Sequence, residues 1–154
     1  RTTMPTSIVR YQKASDQYTT YLLATPDRQD ADAPQVTELA TLDDGYTYVA
    51  VPDGVTLPEQ PQQITVEPVT LTPLQREQIK LASPHCQLVA QRIQEKIRSN
   101  YSLEDEMYFA RIGVGAANGL YQPDSSEFQA MAVFGEFVEG VRQWGREERA
   151  KLGL

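Results

Sequence analysis

The chain has 154 residues, 40% of them hydrophobic, and it carries a net charge of −7 with an isoelectric point of about 4.7. This length suits one compact domain or a small domain with an appendage, and the apolar fraction argues against a chain that is disordered throughout. An acidic surface repels phosphates, so nucleic-acid and anionic-membrane partners are disfavoured. The basic residues near the C-terminus alternate with glutamates, which indicates a solvated helix face of mixed charge. They are Arg142, Arg146, Arg149 and Lys151.

Cysteine content and hydropathy favour a soluble protein, either of a reducing compartment or with a structure that needs no disulfide. Cys86 is the only cysteine, so no disulfide can form within the chain. No uncharged stretch approaches the roughly 20 residues that span a bilayer. Residues 1–10, RTTMPTSIVR, lack the apolar core of a signal peptide. We therefore expect no membrane partner.

The composition of the chain changes near residue 72. Residues 1–72 hold seven of the ten prolines and carry a net charge of −6, whereas residues 73–154 hold seven of the nine glycines and carry −1. The change predicts an α+β fold in three parts. These are a small antiparallel β domain at residues 1–51, a proline-rich extended linker at residues 52–72, and a domain of three to four helices at residues 73–154.

Short segments rich in β-branched and aromatic residues predict an antiparallel sheet or meander in the first part. Alternation is clearest in residues 46–52, YTYVAVP, which lie between two turn signals. Such a sheet is thin unless another segment covers it. The tyrosines of this part either pair across strands or form an aromatic face that binds a sugar or a peptide. They are Tyr11, Tyr18, Tyr21, Tyr46 and Tyr48.

Four prolines in residues 52–72 predict an extended segment that runs along a surface, with disorder as the alternative. Within this segment, residues 63–69, QITVEPV, are a candidate edge strand.

Capping signals predict where the helices of the last part begin, since each combines an N-cap residue with a partner three residues later or a first-turn proline. They stand at Thr72–Gln75, Ser83–Pro84, Ser102–Asp105 and Asp124–Glu127. Apolar residues at spacings of three and four then mark one face of the helix that follows Pro84, which we expect to end at Asn100. These apolar residues are Cys86, Val89, Ala90, Ile93 and Ile97.

Residues 101–111, YSLEDEMYFAR, contain the consecutive carboxylates Glu104, Asp105 and Glu106. Adjacent residues on a helix project about 100° apart, so these carboxylates do not converge on a substrate or a metal. In a first helical turn they are favoured by unpaired N–H groups and by the helix dipole. We interpret them as the start of a helix, followed by an apolar stripe. The stripe consists of Leu103, Met107, Ala110 and Val114.

The last predicted helix, within residues 127–153, is apolar over more than a narrow face. Either the other two helices wrap it, or part of it contacts another chain, and we predict the second. The candidate interface residues are Phe128, Phe134, Phe137, Val141 and Trp144. Three glycines weaken this helix and are interpreted as sites where another helix crosses closely. They are Gly135, Gly140 and Gly145.

The motifs that could indicate catalysis, dinucleotide binding or metal binding are better explained by local structural roles. Residues 113–119, GVGAANG, lack the third glycine of a dinucleotide-binding fingerprint and are interpreted as a helix end followed by a turn. His85 and Cys86 are neighbours on a helix and point in different directions, and the chain has no second histidine. A lone histidine and a lone cysteine do not make a zinc site. We therefore predict no catalytic residue, no cofactor and no metal.

The segment Ser83–Arg111, SPHCQLVAQRIQEKIRSNYSLEDEMYFAR, follows the proline-rich stretch LPEQPQQITVEPVTLTP. Together, over residues 57–111, they resemble a segment of tail-fibre and baseplate-associated proteins of tailed bacteriophages, in which a proline-rich stretch leads into helices with an IR..YS..DE pattern. The resemblance implies a virion protein, assembled in the host cytoplasm, that works in tail assembly or fibre attachment.

The resemblance also implies that the partners are other tail or baseplate subunits. Phage tail parts are commonly homotrimeric or arranged around a symmetry axis, so it further implies a homo-oligomer, with a trimer as one form. Two alternatives stay open. One is a tail-fibre assembly chaperone that is absent from finished particles, and the other is a bacterial cytoplasmic protein-binding module.

Overall fold

A computed structural model of the chain describes residues 6–27 and 32–154, so residues 1–5 and 28–31 of the predicted β domain lie outside the described residues. Within the described ranges, strands come first and helices follow, which confirms the predicted α+β class. The strands are β1 (Thr6–Tyr11), β2 (Ala14–Ser15), β3 (Thr20–Tyr21), β4 (Thr37–Thr41), β5 (Thr47–Pro52) and β6 (Glu67–Val69). The helices are α1 (Pro73–Ala82), α2 (Pro84–Asn100), α3 (Leu103–Ala117) and α4 (Ser125–Ala150).

The chain forms two compact units. The first, the sheet unit, runs to Leu88 and also contains Glu148–Leu154, while the second, the helical unit, is Val89–Glu147. The division therefore falls within α2, whereas the change in composition places it near residue 72. The reason is that Leu71 and Ile79 are buried against the sheet, so the end of the predicted linker and α1 belong to the sheet unit.

The main sheet has the strand order β4-β5-β1-β6, and each neighbouring pair is antiparallel. β1 pairs with β5 along its whole length, from Thr6 opposite Pro52 to Tyr11 opposite Thr47. β6 pairs with the other side of β1, which confirms the edge strand predicted in residues 63–69. The short strands β2 and β3 form a separate hairpin.

β5 is a central strand, and both of its faces are covered. Successive side chains of a strand point to opposite faces, and those of β5 alternate between two apolar clusters. On one face, Tyr48 and Ala50 pack in a cluster to which α1 and the C-terminal segment contribute. The members of this cluster are Ile8, Leu39, Tyr48, Ala50, Leu71 and Ile79, with Leu152 and Leu154 packed against it. On the other face, Val49 and Val51 pack with Tyr11 and with Ile64 of the predicted linker.

The predicted linker thus lies on the sheet that it follows in sequence. Residues 52–68, all of them described, contain no helix, and Val55, Leu57 and Val66 join Ile64 in covering one face of the sheet. Proline keeps the segment extended, while its alternating aliphatic residues attach it to the sheet. This cover supplies the burial that a thin antiparallel sheet needs.

Each predicted helix start is confirmed. At α1, Gln75 N donates to Thr72 Oγ1 at 3.1 Å and Thr72 N donates to Gln75 Oε1 at 3.0 Å, which completes a capping box. Ser102 with Asp105 repeats this arrangement at α3. Before α4, Glu127 N donates to Asp124 Oδ1 at 2.8 Å and Asp124 N donates to Glu127 Oε1 at 3.1 Å. α2 begins at Pro84, directly after Ser83, and ends at Asn100 as expected.

The predicted apolar face of α2 is confirmed with one exception. Cys86, Val89 and Ile97 are buried and Ile93 is half-buried, whereas Ala90 is exposed.

In the described part of the chain, no helix combines the length and the apolar character needed to cross a membrane.

A candidate protein interface on the helical unit

An aromatic cluster holds the helical unit together and accounts for two of the predicted interface residues. Tyr101, in the turn between α2 and α3, lies with its ring centroid 4.8 Å from that of Phe134 and 5.5 Å from that of Phe137. Phe109 of α3 stacks on Phe134 at 4.9 Å. Phe134 and Phe137 are therefore half-buried by aromatic partners within their own chain.

The other three predicted interface residues lie in different environments. Val141 is buried. Trp144 is half-buried, and Lys96 Nζ lies 3.4 Å from the centroid of its ring. Phe128 is the one exposed residue among the five, with 51% of its surface accessible to solvent. Most of the predicted interface residues of α4 are thus covered within the helical unit. The aromatic rings of Tyr101 and Phe109 cover Phe134, and Tyr101 also contacts Phe137.

The glycines of α4 do not mark close crossings at two of the three predicted positions. A Cβ atom built on Gly135 or on Gly140 meets no atom within 4 Å among the described residues. Gly145 is buried, as a close approach requires. The prediction of close contacts at Gly135 and Gly140 is therefore wrong for this chain by itself, and both glycines lie on exposed surface.

The apolar stripe of α3 is exposed. Leu103 is 59% exposed, Met107 57% and Val114 61%, and Ala110 between them is exposed as well. Ile112, on the opposite side of the helix, is buried. Apolar stripes of this kind usually face a core, but here the core contact is made by Ile112 and the half-buried Phe109. We call the four exposed residues, Leu103, Met107, Ala110 and Val114, the outer stripe.

Two opposite charges lie along one edge of the outer stripe. Glu104 and Arg111 are seven residues apart, so they project within about 20° of each other on the helix. Neither has an ion-pair partner among the residues that the structure describes. On the other edge, Glu106 accepts a hydrogen bond from Arg98 Nη2 at 2.8 Å. The outer stripe is thus rimmed by charge, with one edge unpaired.

The three consecutive carboxylates have three separate roles, as divergent side chains on a helix require. Asp105 completes the capping box with Ser102, Glu106 binds Arg98, and Glu104 has no described ion-pair partner. The interpretation of this group as the start of a helix is confirmed.

The turn between α3 and α4 is held by one carboxylate. Tyr121 Oη donates to Glu127 Oε1 at 2.7 Å, and Tyr108 Oη donates to Glu127 Oε2 at 3.1 Å. The hydrogen bond to Glu127 raises the pKa of Tyr121 to about 12, and the hydrogen bond from Tyr121 is the main cause that lowers the pKa of the Glu127 carboxyl group. This contact connects Tyr108, in the N-terminal half of α3, to the first turn of α4.

The glycines of residues 113–119 serve this turn. A Cβ atom on Gly115 would lie 3.2 Å from Cβ of Tyr121, so glycine permits the turn to pass close to α3. Asn118 is the C-cap of α3, and Gly119 has a φ of 69°. The interpretation of the motif as a helix end followed by a turn is confirmed.

A groove of about 570 Å³ lies beside β4 in the sheet unit. One wall is the segment Gln35–Thr41, and the other contains Ala82, Pro84 and His85. An edge strand beside a groove can accept a strand from another chain, but the register of β4 against β5 shifts between Glu38 and Ala40. Irregularities of this kind interrupt strand addition, so the groove is the weaker candidate for a protein contact.

The predicted neighbours His85 and Cys86 point apart, since His85 is exposed beside the groove and Cys86 is buried. Within residues 6–27 and 32–154, no group of three or more His, Cys, Asp and Glu side chains is arranged to hold a metal ion.

The tyrosines of the sheet unit do not share one face. Tyr46 and Tyr48 belong to one cluster, and Tyr11 and Tyr21 belong to the other. Tyr18 is exposed to solvent. The arrangement supports cross-sheet packing and not a single aromatic binding face.

No model of a known protein family matches the chain, and no curated protein or solved structure matches it.

Proposed function

We propose that this chain is a non-catalytic assembly protein, a structural component of a phage tail or baseplate that acts as an adaptor or fibre-attachment piece. The observation that carries the proposal is the exposed outer stripe of α3. A continuous apolar helix face with charged residues along its edges is typical of a surface that binds another protein. Residues at spacings of three and four are the anchors by which such a helix docks.

Burial of this surface would contribute favourably to association. Burying one large apolar side chain contributes roughly 1.5–3 kcal/mol, and Leu103, Met107 and Val114 each leave more than half of their surface in water. The expected partners are therefore proteins, namely tail or baseplate subunits and further copies of this chain. Nucleic acid, membranes and cofactors have no part in the proposal.

The assignment to a phage tail rests on the sequence resemblance of residues 57–111. In this proposal the protein is assembled in the host cytoplasm and resides in the virion. A tail-fibre assembly chaperone would use the same apolar surface but would leave before the particle is complete. A bacterial cytoplasmic binding module would use it for a partner unrelated to phage.

Mass spectrometry of purified particles tests the proposal, together with identification of the genes that flank the coding sequence. We expect tail genes on both sides and the chain in finished particles at a fixed ratio to other tail proteins. Flanking tail genes without the chain in finished particles would replace the structural role with the chaperone role. Flanking genes unrelated to phage, and no phage particle that contains the chain, would replace both with the binding module.

A further inference from the structure

The outer stripe of α3 has the spacing of a seam between two helices. Its residues are separated by four, three and four positions, the alternation found where two helices pack along each other. It runs along most of α3, and it lies on the side of the helix opposite the buried Ile112. The seam is thus available to a helix from outside the chain.

We infer that α3 packs antiparallel against α3 of a second copy of this chain about a two-fold axis, so that Glu104 of each copy lies beside Arg111 of the other. This inference rests on the proposed assembly function and specifies its first contact, which is self-association through the outer stripe.

The two-fold register follows from the spacing. When Leu103 of one copy lies opposite Val114 of the other, Met107 lies opposite Ala110. A two-fold axis makes each of these contacts occur twice, so the four residues of each copy all find a partner. The long Met107 side chain faces the small Ala110, and this alternation of large and small side chains fills the space between the helices.

The same register brings the unpaired charges together. A two-fold axis perpendicular to both helices keeps the edge that carries Glu104 and Arg111 on the same side in both copies. Glu104 then lies about 3 Å along the axis from Arg111 of the other copy, within reach of the long arginine side chain. Two such ion pairs form in the dimer. The apolar seam supplies the affinity, and the charges select the orientation.

The opposite edge is compatible with this register and argues against the parallel alternative. In the antiparallel pair, Glu106 faces Gly113 of the other copy, which has no side chain to obstruct it. In a parallel pair, Arg111 would approach Glu106 of the other copy, whose carboxylate is already held by Arg98 at 2.8 Å. That arrangement would leave Glu104 unpaired. The antiparallel pair uses both free charges.

The first test is the mass of the full chain in solution, measured by light scattering and sedimentation equilibrium over a range of concentrations. We expect a dimer that dissociates on dilution. Met107→Glu places a charge in the centre of the seam and should weaken association by at least about tenfold. Val133→Glu is the matched control, because Val133 is 52% exposed on α4 of the same unit. It should leave association unchanged, and circular dichroism should be the same for all three proteins.

The second test is a charge exchange that distinguishes this register from any other apolar contact. Glu104→Arg alone places two arginines side by side at each of the two contacts, and Arg111→Glu alone places two glutamates there. Each variant should therefore associate with itself about tenfold more weakly than the unmodified chain. An equimolar mixture of the two variants should associate as strongly as the unmodified chain, since every contact in the mixed dimer joins opposite charges.

The inference is overturned if the unmodified chain stays monomeric, if it forms a trimer, if Val133→Glu dissociates it as Met107→Glu does, or if the mixture associates no better than its components. These experiments need only purified chain, whereas the proposed function is tested on particles. Failure of the pairing would leave the presence of the chain in virions unaffected. Absence from virions would likewise leave a measured dimer intact.

Discussion

Ile112 and Val114 lie two residues apart on α3 and on opposite sides of it, with Ile112 4% exposed and Val114 61% exposed. Two residues correspond to about 200° of rotation on an α-helix, so a helix with apolar residues at both positions has two apolar sides. One side of α3 packs within the helical unit, and the other is the outer stripe. α3 therefore stabilises its own unit with one apolar side and leaves a second apolar side exposed.

Replacing two exposed glycines of α4 by alanine should stabilise the helical unit. Gly135→Ala and Gly140→Ala should each raise the free energy of unfolding of the helical unit by about 1 kcal/mol, because alanine restricts the unfolded chain and meets no neighbour in the folded one. Urea unfolding followed by circular dichroism measures the change. A destabilised variant would mean that the glycine is needed for a close contact with another molecule.

Gly153→Ala is the matched control for these substitutions and should act in the opposite direction. Gly153 has a φ of 79°, and a Cβ atom there would lie 3.0 Å from Ile8 Cδ1 and 3.3 Å from the Thr6 carbonyl oxygen. The same chemical change should therefore lower the stability of the sheet unit. An increase in stability would contradict the close approach of the C-terminal segment to β1.

Tyr48 should make the stability of the sheet unit depend on pH in the alkaline range. Burial and the 2.6 Å hydrogen bond from Tyr48 Oη to Asp44 raise the pKa of this tyrosine, and Arg10 partly opposes the rise. The folded state therefore keeps the proton to a higher pH than the unfolded state. This contribution is fully present below the ordinary tyrosine pKa of about 10 and is lost as the pH rises through the raised value.

Tyr48→Phe should lower the free energy of unfolding at neutral pH by about 1–2 kcal/mol, because Asp44 loses a donor. It should also make the decrease in stability above about pH 10 less steep. Chemical unfolding at a series of pH values measures both effects. Tyr18→Phe is the control, since Tyr18 is 88% exposed. An unchanged alkaline slope in Tyr48→Phe would show that other groups control it.

Glu127 should set the titration of Tyr121. Glu127→Gln keeps the size of the side chain but removes its charge, so the pKa of Tyr121 should fall from about 12 towards the ordinary value near 10. The tyrosinate absorbance during an alkaline titration reports the change. Glu136→Gln, an exposed position on the same helix, should leave the titration curve unaltered. A curve that is the same in both variants would contradict the contact between Tyr121 and Glu127.

Lys96 should stabilise the helical unit through Trp144, the single tryptophan of the chain. Lys96→Met keeps most of the apolar length and removes the charge over the ring, so the free energy of unfolding should fall by about 0.5–1 kcal/mol. The fluorescence of Trp144 should change as well, which locates the effect. Arg92→Met, at an exposed position of the same helix, should change neither quantity. A fluorescence change in Arg92→Met of equal size would indicate a general electrostatic effect.

Helix starts could be predicted from the sequence because capping is a local interaction. Thr72, Ser102 and Asp124 each accept a hydrogen bond from the backbone N–H three residues later, and that geometry needs no distant part of the chain. The same holds for the carboxylates at Glu104–Glu106, whose directions follow from the helix alone.

The position of residues 52–72 could be predicted only in part. Proline content determines that this segment is extended, and QITVEPV has the composition of an edge strand. Its attachment to one face of the sheet depends on Ile64 packing with Tyr11 and Val49, which are far from it in sequence. This packing, together with the burial of Leu71 and Ile79 against the sheet, is why the compact units divide within α2 and not at the change in composition.

The α+β class, the starts of the helices, the extended linker and the existence of an apolar stripe on α3 could all be predicted from the order of the amino acids. The packing of the helices was needed to show that this stripe faces outward and that Phe134 and Phe137 face inward. Periodicity fixes the angle between side chains around a helix, but not which angle a neighbouring element occupies. Here Tyr101 and Phe109 cover α4 at Phe134, and that arrangement leaves Leu103, Met107 and Val114 in water.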